Sequence, residues 1–184
     1  RHALFQTVSI ASTTGFASSD FNLWPDFSRY VLLLLMFVGG CSGSTAGGMK
    51  VSRFVILLKV TWAELRRTIH PRLVYSIKMG GRNVPPVVVG NVTRFFYLYM
   101  IVFSTLTLLI SLTGISMLDS MGIIAACMSS VGPAFGIVGP TATYADVSTF
   151  GRLVVIAAMI LGRLEIFTLL IIMRPDFWRV KRNW

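Results

Sequence analysis

The sequence predicts an all-α membrane protein built from repeated units, each with a span, a re-entrant pore loop and a second span. Hydrophobic residues make up 54% of the 184 residues and charged residues only 13%, against about 25% in soluble domains. A short apolar segment, a glycine stop, a loop and a long apolar segment follow one another twice. In addition, a Gly-rich run at residues 39–50 interrupts one long apolar segment. Together these features predict one helix broken by an intramembrane loop.

The net charge of +10 comes largely from basic residues that lie in two blocks beside apolar segments. Basic residues next to membrane spans are typical of cytoplasmic loops, so both blocks are predicted to face the cytoplasm. They are not interleaved with stacking aromatic residues along a groove, and no nucleic-acid partner is expected. The blocks are Lys50, Arg53, Lys59, Arg66, Arg67, Arg72, Lys78, Arg82 and Arg94, and then Arg174, Arg179, Lys181 and Arg182.

The first unit covers residues 1–60 and begins with an apolar segment that is too short to cross a membrane. A span requires about 20 residues, roughly twice the length available here. Thr13, Thr14 and Gly15 end the segment, and the glycine allows the backbone to turn back toward the surface from which it came. A re-entrant loop is therefore predicted over residues 3–16.

Residues 27–60 form an apolar segment that is longer than one span and contains the glycine-rich run. Glycine costs about 1 kcal/mol in a helix interior. In lipid, a broken helix is tolerated only where it is buried in protein or lines a water-filled cavity. The sequence therefore predicts two half-helices, 27–38 and 51–60, on either side of a loop that faces a cavity.

Residues 61–91 are predicted to form a basic cytoplasmic linker. Basic and apolar positions alternate over residues 61–79, which favours an amphipathic segment lying along the inner face of the membrane. A solvated loop is the alternative for this segment. Glycines and prolines mark the end of the linker, residues 80–86, as rich in turns.

Residues 92–184 form a second unit whose preceding span is present. An uninterrupted apolar segment predicts that span over residues 92–117. A short apolar segment and a second glycine stop predict a re-entrant loop over residues 118–136. The last span is predicted over residues 148–173, followed by a cytoplasmic tail.

The two glycine stops are predicted to form a selectivity filter for a cation. Re-entrant segments expose backbone carbonyls, which can replace the hydration shell of an ion. The negative C-terminal ends of the half-helices also favour a cation. The predicted filter consists of Thr13, Thr14, Gly15, Phe16, Ser130, Val131, Gly132 and Pro133, with the ion held by the backbone of Thr14, Gly15, Val131 and Gly132.

A gate is predicted below the filter. Aligning the two long helices on Arg29 and Arg152 places Gly162 and Arg163 at the depth of the glycine break. An arginine at this depth is costly and normally faces a bundle interior or a cavity, so Arg163 is predicted to project toward the pore. The alternative is that Arg163 and Glu165 form packing ion pairs with other spans. The predicted gate residues are Gly39, Gly40, Gly43, Ser44, Thr45, Ala46, Gly47, Gly48 and Arg163.

These stretches resemble the potassium-translocating pore subunits of the Trk/Ktr/HKT superfamily, and TrkH-type bacterial proteins most closely. Two pieces are specific, namely GSTAGGMK at residues 43–50, and the motif GRLE that begins at Gly162. The other matching stretches are Phe5-Gln6-Thr7-Val8-Ser9, Thr13-Thr14-Gly15-Phe16, Val131-Gly132-Pro133, Ile166-Phe167 and Phe177-Trp178-Arg179.

The resemblance implies four span-loop-span units around one pore, of which this chain would hold the third without its first span and the complete fourth. It implies uptake of K⁺ as the transported ion, with no covalently bound cofactor. It also implies a location in the bacterial inner membrane with the C-terminus in the cytoplasm. The expected partners are the rest of the four-unit subunit, a second full-length subunit in a homodimer, and a cytoplasmic nucleotide-binding regulatory subunit of the RCK type, similar to TrkA.

Two features of the sequence leave other functions open. Ser129-Ser130 and Pro133-Ala134 stand where many relatives have asparagine and Pro-Gly, so selectivity between potassium and sodium is not settled. Arg163 and Glu165 could instead form a binding pair in a transporter for a small organic substrate. No nucleophile and base lie at catalytic spacing, so an enzyme is not predicted. Two of four filter segments cannot enclose an ion path, so the chain is not expected to conduct alone.

Overall fold

The computed structural model describes residues 1–41, 43–44, 46–70 and 76–163. Over these residues the chain is mainly helical, with two very short strand pairs. The helices are α1 (His2–Ala11), α2 (Asp26–Phe37), α3 (Val51–Ile69), α4 (Pro86–Ser111), α5 (Met117–Met128) and α6 (Thr149–Arg163). The parallel pair is β1 (Val38–Gly39) with β2 (Met49–Lys50), and the antiparallel pair is β3 (Lys78–Met79) with β4 (Arg82–Asn83).

The glycine-rich run separates two helices, α2 and α3. Helix α2 follows Pro25, which has an extended backbone and occupies the N-cap position. It ends at Phe37, where β1 begins, and α3 starts directly after β2. The long apolar segment is thus broken at the glycines, as the sequence pattern indicates.

Helix α3 extends further than its predicted end at residue 60. It continues to Ile69 and has 19 residues. The segment 61–69 contains no glycine or proline, and Ala63, Glu64 and Leu65 are strong helix formers. The basic pattern predicted as a separate amphipathic segment is therefore, up to Ile69, the last part of α3.

The bounds of helix α4 also differ from the predicted ones. It begins at Pro86 rather than at residue 92, and ends at Ser111 rather than at residue 117. Pro85 and Pro86, predicted to lie in the linker, instead start the helix, because a proline in the first turn has no helical N–H partner to lose. Of the helices in the described part of the chain, α4 is the one long and apolar enough to cross a membrane.

Helix α5 is the centre of the packing. Ser116 caps its N-terminus by accepting a hydrogen bond from the Asp119 N–H at 3.2 Å. Its C-terminal half is enclosed by α2, α4 and α6, and the side chains of residues 123–128 are buried, with at most 1% of their surface exposed. Helix α5 is therefore surrounded by protein over its second half.

Helix α1 differs from α5 in its surroundings. It contacts α2 and buries Gln6, Ser9 and Ile10. Its other face is exposed, and Leu4 and Val8 have 73% and 58% of their surface accessible. Helix α1 thus presents an apolar face that the described residues leave uncovered.

The second unit is described as far as Arg163. Helix α6 begins at Thr149, close to the start of the span predicted over residues 148–173. The rest of that span, Glu165 and the cytoplasmic tail with Phe177, Trp178 and Arg179 lie outside the described residues.

Candidate ion pathway

Helices α1 and α5 end in turns with matching backbone conformation. Thr13 has a φ of 56° and Ser130 a φ of 55°, both in the left-handed region that residues other than glycine rarely adopt. Two positions further on, Gly15 and Gly132 have φ values of 79° and 107°. The chain therefore leaves both half-helices in the same way.

The hydrogen bonds of the two turns also correspond. The Thr14 N–H donates to the Ser9 carbonyl at 2.9 Å, and the Val131 N–H donates to the Ala126 carbonyl at 2.9 Å. Each bond spans the helix end in the manner of a Schellman motif, which explains the left-handed residue before the donor. The sequence repeat is thus a repeat of backbone geometry at these turns.

The two predicted filter segments touch each other. A Cβ on Gly15 would collide with the Val131 carbonyl oxygen and would lie 3.2 Å from Pro133 Cδ. Only glycine combines the positive φ of this position with such a close approach. The sequence predicted both segments, and the structure brings them side by side.

Carbonyl groups in both segments remain available. The carbonyls of Thr14, Gly15 and Val131 accept no hydrogen bond from any residue that the structure describes. A carbonyl without a protein donor needs water or a cation as its partner. These groups have the chemistry that cation coordination requires.

The next carbonyl along the chain in each segment accepts a hydrogen bond from a hydroxyl group. Ser9 Oγ donates to the Phe16 carbonyl at 2.6 Å, and Tyr144 Oη donates to the Gly132 carbonyl at 2.8 Å. Gly132 was predicted to offer its carbonyl to the ion, and a tyrosine hydroxyl already occupies one side of that oxygen.

Asn22 joins the loop after the first filter segment to the chain after the second. Its Oδ1 accepts from the Gly136 N–H at 3.0 Å, and its Nδ2 donates to the Gly136 carbonyl at 3.3 Å. Asp20 holds the Asn22 backbone by accepting its N–H at 2.9 Å. This two-point bond fixes the two loops to each other.

We expect Asn22→Ala to lower the free energy of unfolding by about 1–3 kcal/mol, because the half-buried Gly136 N–H loses its acceptor and the Gly136 carbonyl keeps only the Gly139 N–H as a donor. Thermal unfolding of the purified full-length protein in detergent measures the change. Asn91→Ala is the matched control, since Asn91 is exposed on α4. Equal unfolding temperatures for the two variants would contradict the role of Asn22.

The two ends of the glycine loop, residues 39–50, are joined by backbone hydrogen bonds. Val38 pairs with Met49 and Gly39 with Lys50, and the Val51 N–H donates to the Gly40 carbonyl at 3.2 Å. The chain therefore enters and leaves the loop at one point, between β1 and β2.

The Lys50 side chain donates hydrogen bonds to backbone carbonyls of the loop. Its Nζ donates to the Ser44 carbonyl at 2.9 Å and to the Ala46 carbonyl at 2.6 Å. Hydrogen bonds from a charged donor contribute about 1.5–3 kcal/mol each, which is enough to order a short loop of small residues.

We expect Lys50→Met to loosen the loop, because both carbonyls lose their donor. A nitroxide attached to Cys41, the exposed cysteine in the loop, reports this as a more mobile EPR spectrum. Other accessible cysteines of the full-length protein are first replaced. Lys78→Met, a change at an exposed lysine on β3, is the control. A spectrum unchanged by Lys50→Met would show that the loop is ordered without Lys50.

The glycine loop contacts both filter segments. A Cβ on Gly47 would collide with the Ser129 carbonyl oxygen at the end of α5. The Gly47 N–H also lies 3.4 Å from Thr13 Oγ1, its acceptor in the first segment. The loop thus lies directly against the ends of α1 and α5, next to the two predicted filter segments.

Arg163 and the glycine loop line the same cavity of about 310 Å³. Gly162 places the last described turn of α6 against α5, since a Cβ there would collide with the Met128 carbonyl oxygen. The alignment of Arg29 with Arg152 predicts Arg163 at the depth of the loop, and a role for Arg163 in a gate stays a prediction. The cavity is lined by Gly43, Ser44, Ala46, Gly47, Gly48, Lys50, Arg53, Phe95, Tyr99, Gly162 and Arg163.

The remaining predicted site residues fall into two groups. Gly39 and Gly40 lie where the two ends of the loop are joined and do not line the cavity. Thr45 lies outside the described residues. The sequence argument missed the contacts of Asn22 and Tyr144, because single polar residues in loops carry no periodic signal.

The described residues thus form a helical bundle with matched turns after α1 and α5, a helix broken at a glycine loop and one helix long and apolar enough to cross a membrane. The family of the protein follows from comparison with known sequences. The chain belongs to the TrkH family, whose model, described as a cation transport protein, matches residues 1–179. The family consists of transporters and not enzymes. This confirms the resemblance and the prediction that the protein is not an enzyme.

Similar proteins match almost the whole chain. The Trk system potassium uptake protein TrkH of Vibrio parahaemolyticus is 46% identical over 96% of this chain, and that of Halomonas elongata is 40% identical over 97%. The crystal structure of the potassium transporter TrkH from Vibrio parahaemolyticus superimposes with a TM-score of 0.87 at 45% identity. The chain spans 36% and 37% of the two relatives and 38% of the crystallised chain.

Proposed function

We propose that this chain contributes to potassium uptake across the membrane, as part of the pore-forming subunit of a Trk-type system. The observation that carries this is the pair of matched turns after α1 and α5, which pack side by side through Gly15 and the Val131 carbonyl. Equivalent turns packed around one axis are what a ring of carbonyl ligands requires. The names of the similar proteins, which are potassium uptake proteins, support the choice of ion.

The ion is held by backbone oxygens of both filter segments. The carbonyls of Thr14, Gly15 and Val131, which have no donor among the described residues, supply the direct ligands. The Gly132 carbonyl contributes through the side not occupied by Tyr144. The C-terminal ends of α1 and α5 add a negative potential at this point.

The glycine loop and Arg163 form the gate beneath this filter. The loop rests on Ser129 and Thr13, so its movement changes the space directly below both segments. Arg163 brings a positive charge to the cavity that the loop lines. A cation that enters this cavity meets both a steric obstacle and a repulsive charge.

The complete pore requires more than these residues. The exposed apolar side chains of α1, such as Leu4 and Val8, are suited to contact with other spans of a four-unit subunit. We place the subunit in the bacterial inner membrane with its C-terminus in the cytoplasm, as a homodimer regulated by a nucleotide-binding subunit of the RCK type. The basic residues of α3, Arg66 and Arg67, then face the cytoplasm.

Growth of a potassium-uptake-deficient bacterial host on limiting potassium tests the function. We expect the full-length protein to rescue growth and the same protein with residues 12–16 deleted not to rescue it. Rescue by neither form, with both present in the membrane, would overturn potassium uptake. It would favour the alternative of a small organic substrate bound by Arg163 and Glu165, which uptake of labelled metabolites would then test.

A further inference from the structure

Tyr144 connects the outer loop to the turn that ends α5. It lies in a short 3-10 helix (Tyr144–Asp146) between the second filter segment and α6. Its hydroxyl donates to the Gly132 carbonyl at 2.8 Å and lies 3.4 Å from Cys127 Sγ. One side chain thus touches both the last turn of the half-helix and the glycine of the filter segment.

Among the described residues, the Tyr144 hydroxyl is the one hydrogen-bond donor to the Gly132 carbonyl. The φ of Gly132, 107°, is in the region open mainly to glycine, and a Cβ at this position would meet no atom within 4 Å. Gly15, at the equivalent position of the first segment, is packed against Val131 and Pro133. The Gly132 carbonyl belongs to the peptide bond with Pro133, whose Cδ would lie 3.2 Å from a Cβ on Gly15, so the Tyr144 hydroxyl and the packing of Pro133 together set its orientation.

We propose that Tyr144 is a positioning residue that sets ion selectivity by fixing the Gly132 carbonyl. This role rests on the proposed potassium function. Without the Tyr144 hydroxyl, the Gly132 carbonyl is held only through Pro133 and can tilt, which changes the direction of one carbonyl dipole at the ion. Discrimination between K⁺ and Na⁺ depends on the size of the coordination cage and on the number and strength of its carbonyl ligands. A looser Gly132 peptide would therefore weaken selectivity before it abolished flux.

The first filter segment has a comparable contact. Ser9, which is buried on α1, donates from its hydroxyl to the Phe16 carbonyl at 2.6 Å. In each segment, a protein hydroxyl donates to the carbonyl that follows the carbonyls without a donor, namely Phe16 in the first segment and Gly132 in the second. The donors come from different elements, a helix in one case and an outer loop in the other, so the sequence repeat does not predict Tyr144.

The Tyr144 hydroxyl remains a donor over the physiological pH range. Burial chiefly, and the neighbouring Cys127 thiol in addition, raise the pKa of Tyr144 above its ordinary value. The phenol therefore stays protonated, and the hydrogen bond to Gly132 does not vary with pH in this range.

Flux of K⁺ and Na⁺ through the full-length protein in lipid vesicles tests this role. We expect Tyr144→Phe to lower the K⁺/Na⁺ flux ratio by about 3- to 10-fold, the range that loss of one hydrogen bond allows, with K⁺ flux itself largely retained. Tyr97→Phe is the matched control, because Tyr97 is 64% exposed on α4 and its hydroxyl bonds to no described residue. A parental ratio in Tyr144→Phe would overturn the role of Tyr144.

A second substitution covers the case in which Tyr144→Phe does not assemble. Tyr144→3-fluorotyrosine keeps the ring and the hydroxyl but makes the phenol a stronger donor, so we expect a higher K⁺/Na⁺ ratio. An unchanged or lower ratio would count against a positioning role. Absence of K⁺ flux through the parent protein would instead overturn the proposed function, so the two failures are distinguishable.

Discussion

We expect Arg163→Ala to raise K⁺ flux through the full-length protein by about tenfold, which corresponds to a barrier lower by roughly 1.4 kcal/mol. Two unit charges at 4 Å interact by about 4 kcal/mol near a protein surface, so removal of one such charge from the ion path is sufficient for this effect. Arg163 and the glycine loop line one cavity, which we have proposed to lie below the filter. The same change also removes bulk from that cavity.

The size of this effect depends on where α6 lies against α5. Gly162 packs against the Met128 carbonyl, one residue before the cap of the second half-helix. The backbone of Arg163 is therefore held beside the end of α5, next to the proposed filter. A positive charge in this cavity opposes the passage of a cation along the proposed path.

The control for Arg163→Ala is another arginine of the same helix. Arg152 lies near the start of α6, and its Nε donates to the Val147 carbonyl at 3.0 Å. We expect Arg152→Ala to leave gating unchanged, because its charge lies at the opposite end of the helix. A second test shortens the loop within residues 43–48. Unchanged flux and gating in both the Arg163→Ala protein and the shortened protein would refute the gate.

Much of the helical framework follows from the sequence, because its signals are local. Apolar length, glycine stops and the break between Phe37 and Val51 each act within a few residues. The errors occur where a local signal is ambiguous. Pro86 starts α4 although proline often marks a linker, and α3 continues to Ile69 because nothing in its sequence ends it.

The contacts of the candidate site could be predicted only in part. The turns at Gly15 and Gly132 were visible because glycines end two similar segments. The bonds from Asn22 to Gly136 and from Tyr144 to Gly132 join residues in irregular loops, where neither hydrophobic period nor turn chemistry identifies a partner. The prediction that Arg163 lies at the depth of the glycine loop came from the alignment of the two long helices on Arg29 and Arg152, and its role in a gate stays a prediction.

We expect Gly15→Ala to abolish selective K⁺ transport by the full-length protein. The φ of 79° costs an L-residue about 1–3 kcal/mol. The added methyl group would also collide with the Val131 carbonyl oxygen, which is backbone and cannot turn aside as a side chain would. Relief of the collision moves one filter segment away from the other, and the carbonyls that they share around an ion separate.

Gly90→Ala is the control for this substitution. Gly90 lies in α4, where a Cβ would meet no atom within 4 Å, so the change is expected to stabilise the helix slightly and to leave transport intact. Flux of K⁺ and Na⁺ into vesicles, with the amount of inserted protein measured in parallel, separates lost selectivity from lost assembly. If Gly15→Ala, inserted in parental amounts, retained the parental K⁺/Na⁺ ratio, the contact between Gly15 and Val131 would not belong to the ion path. The filter would then have to lie away from these two turns.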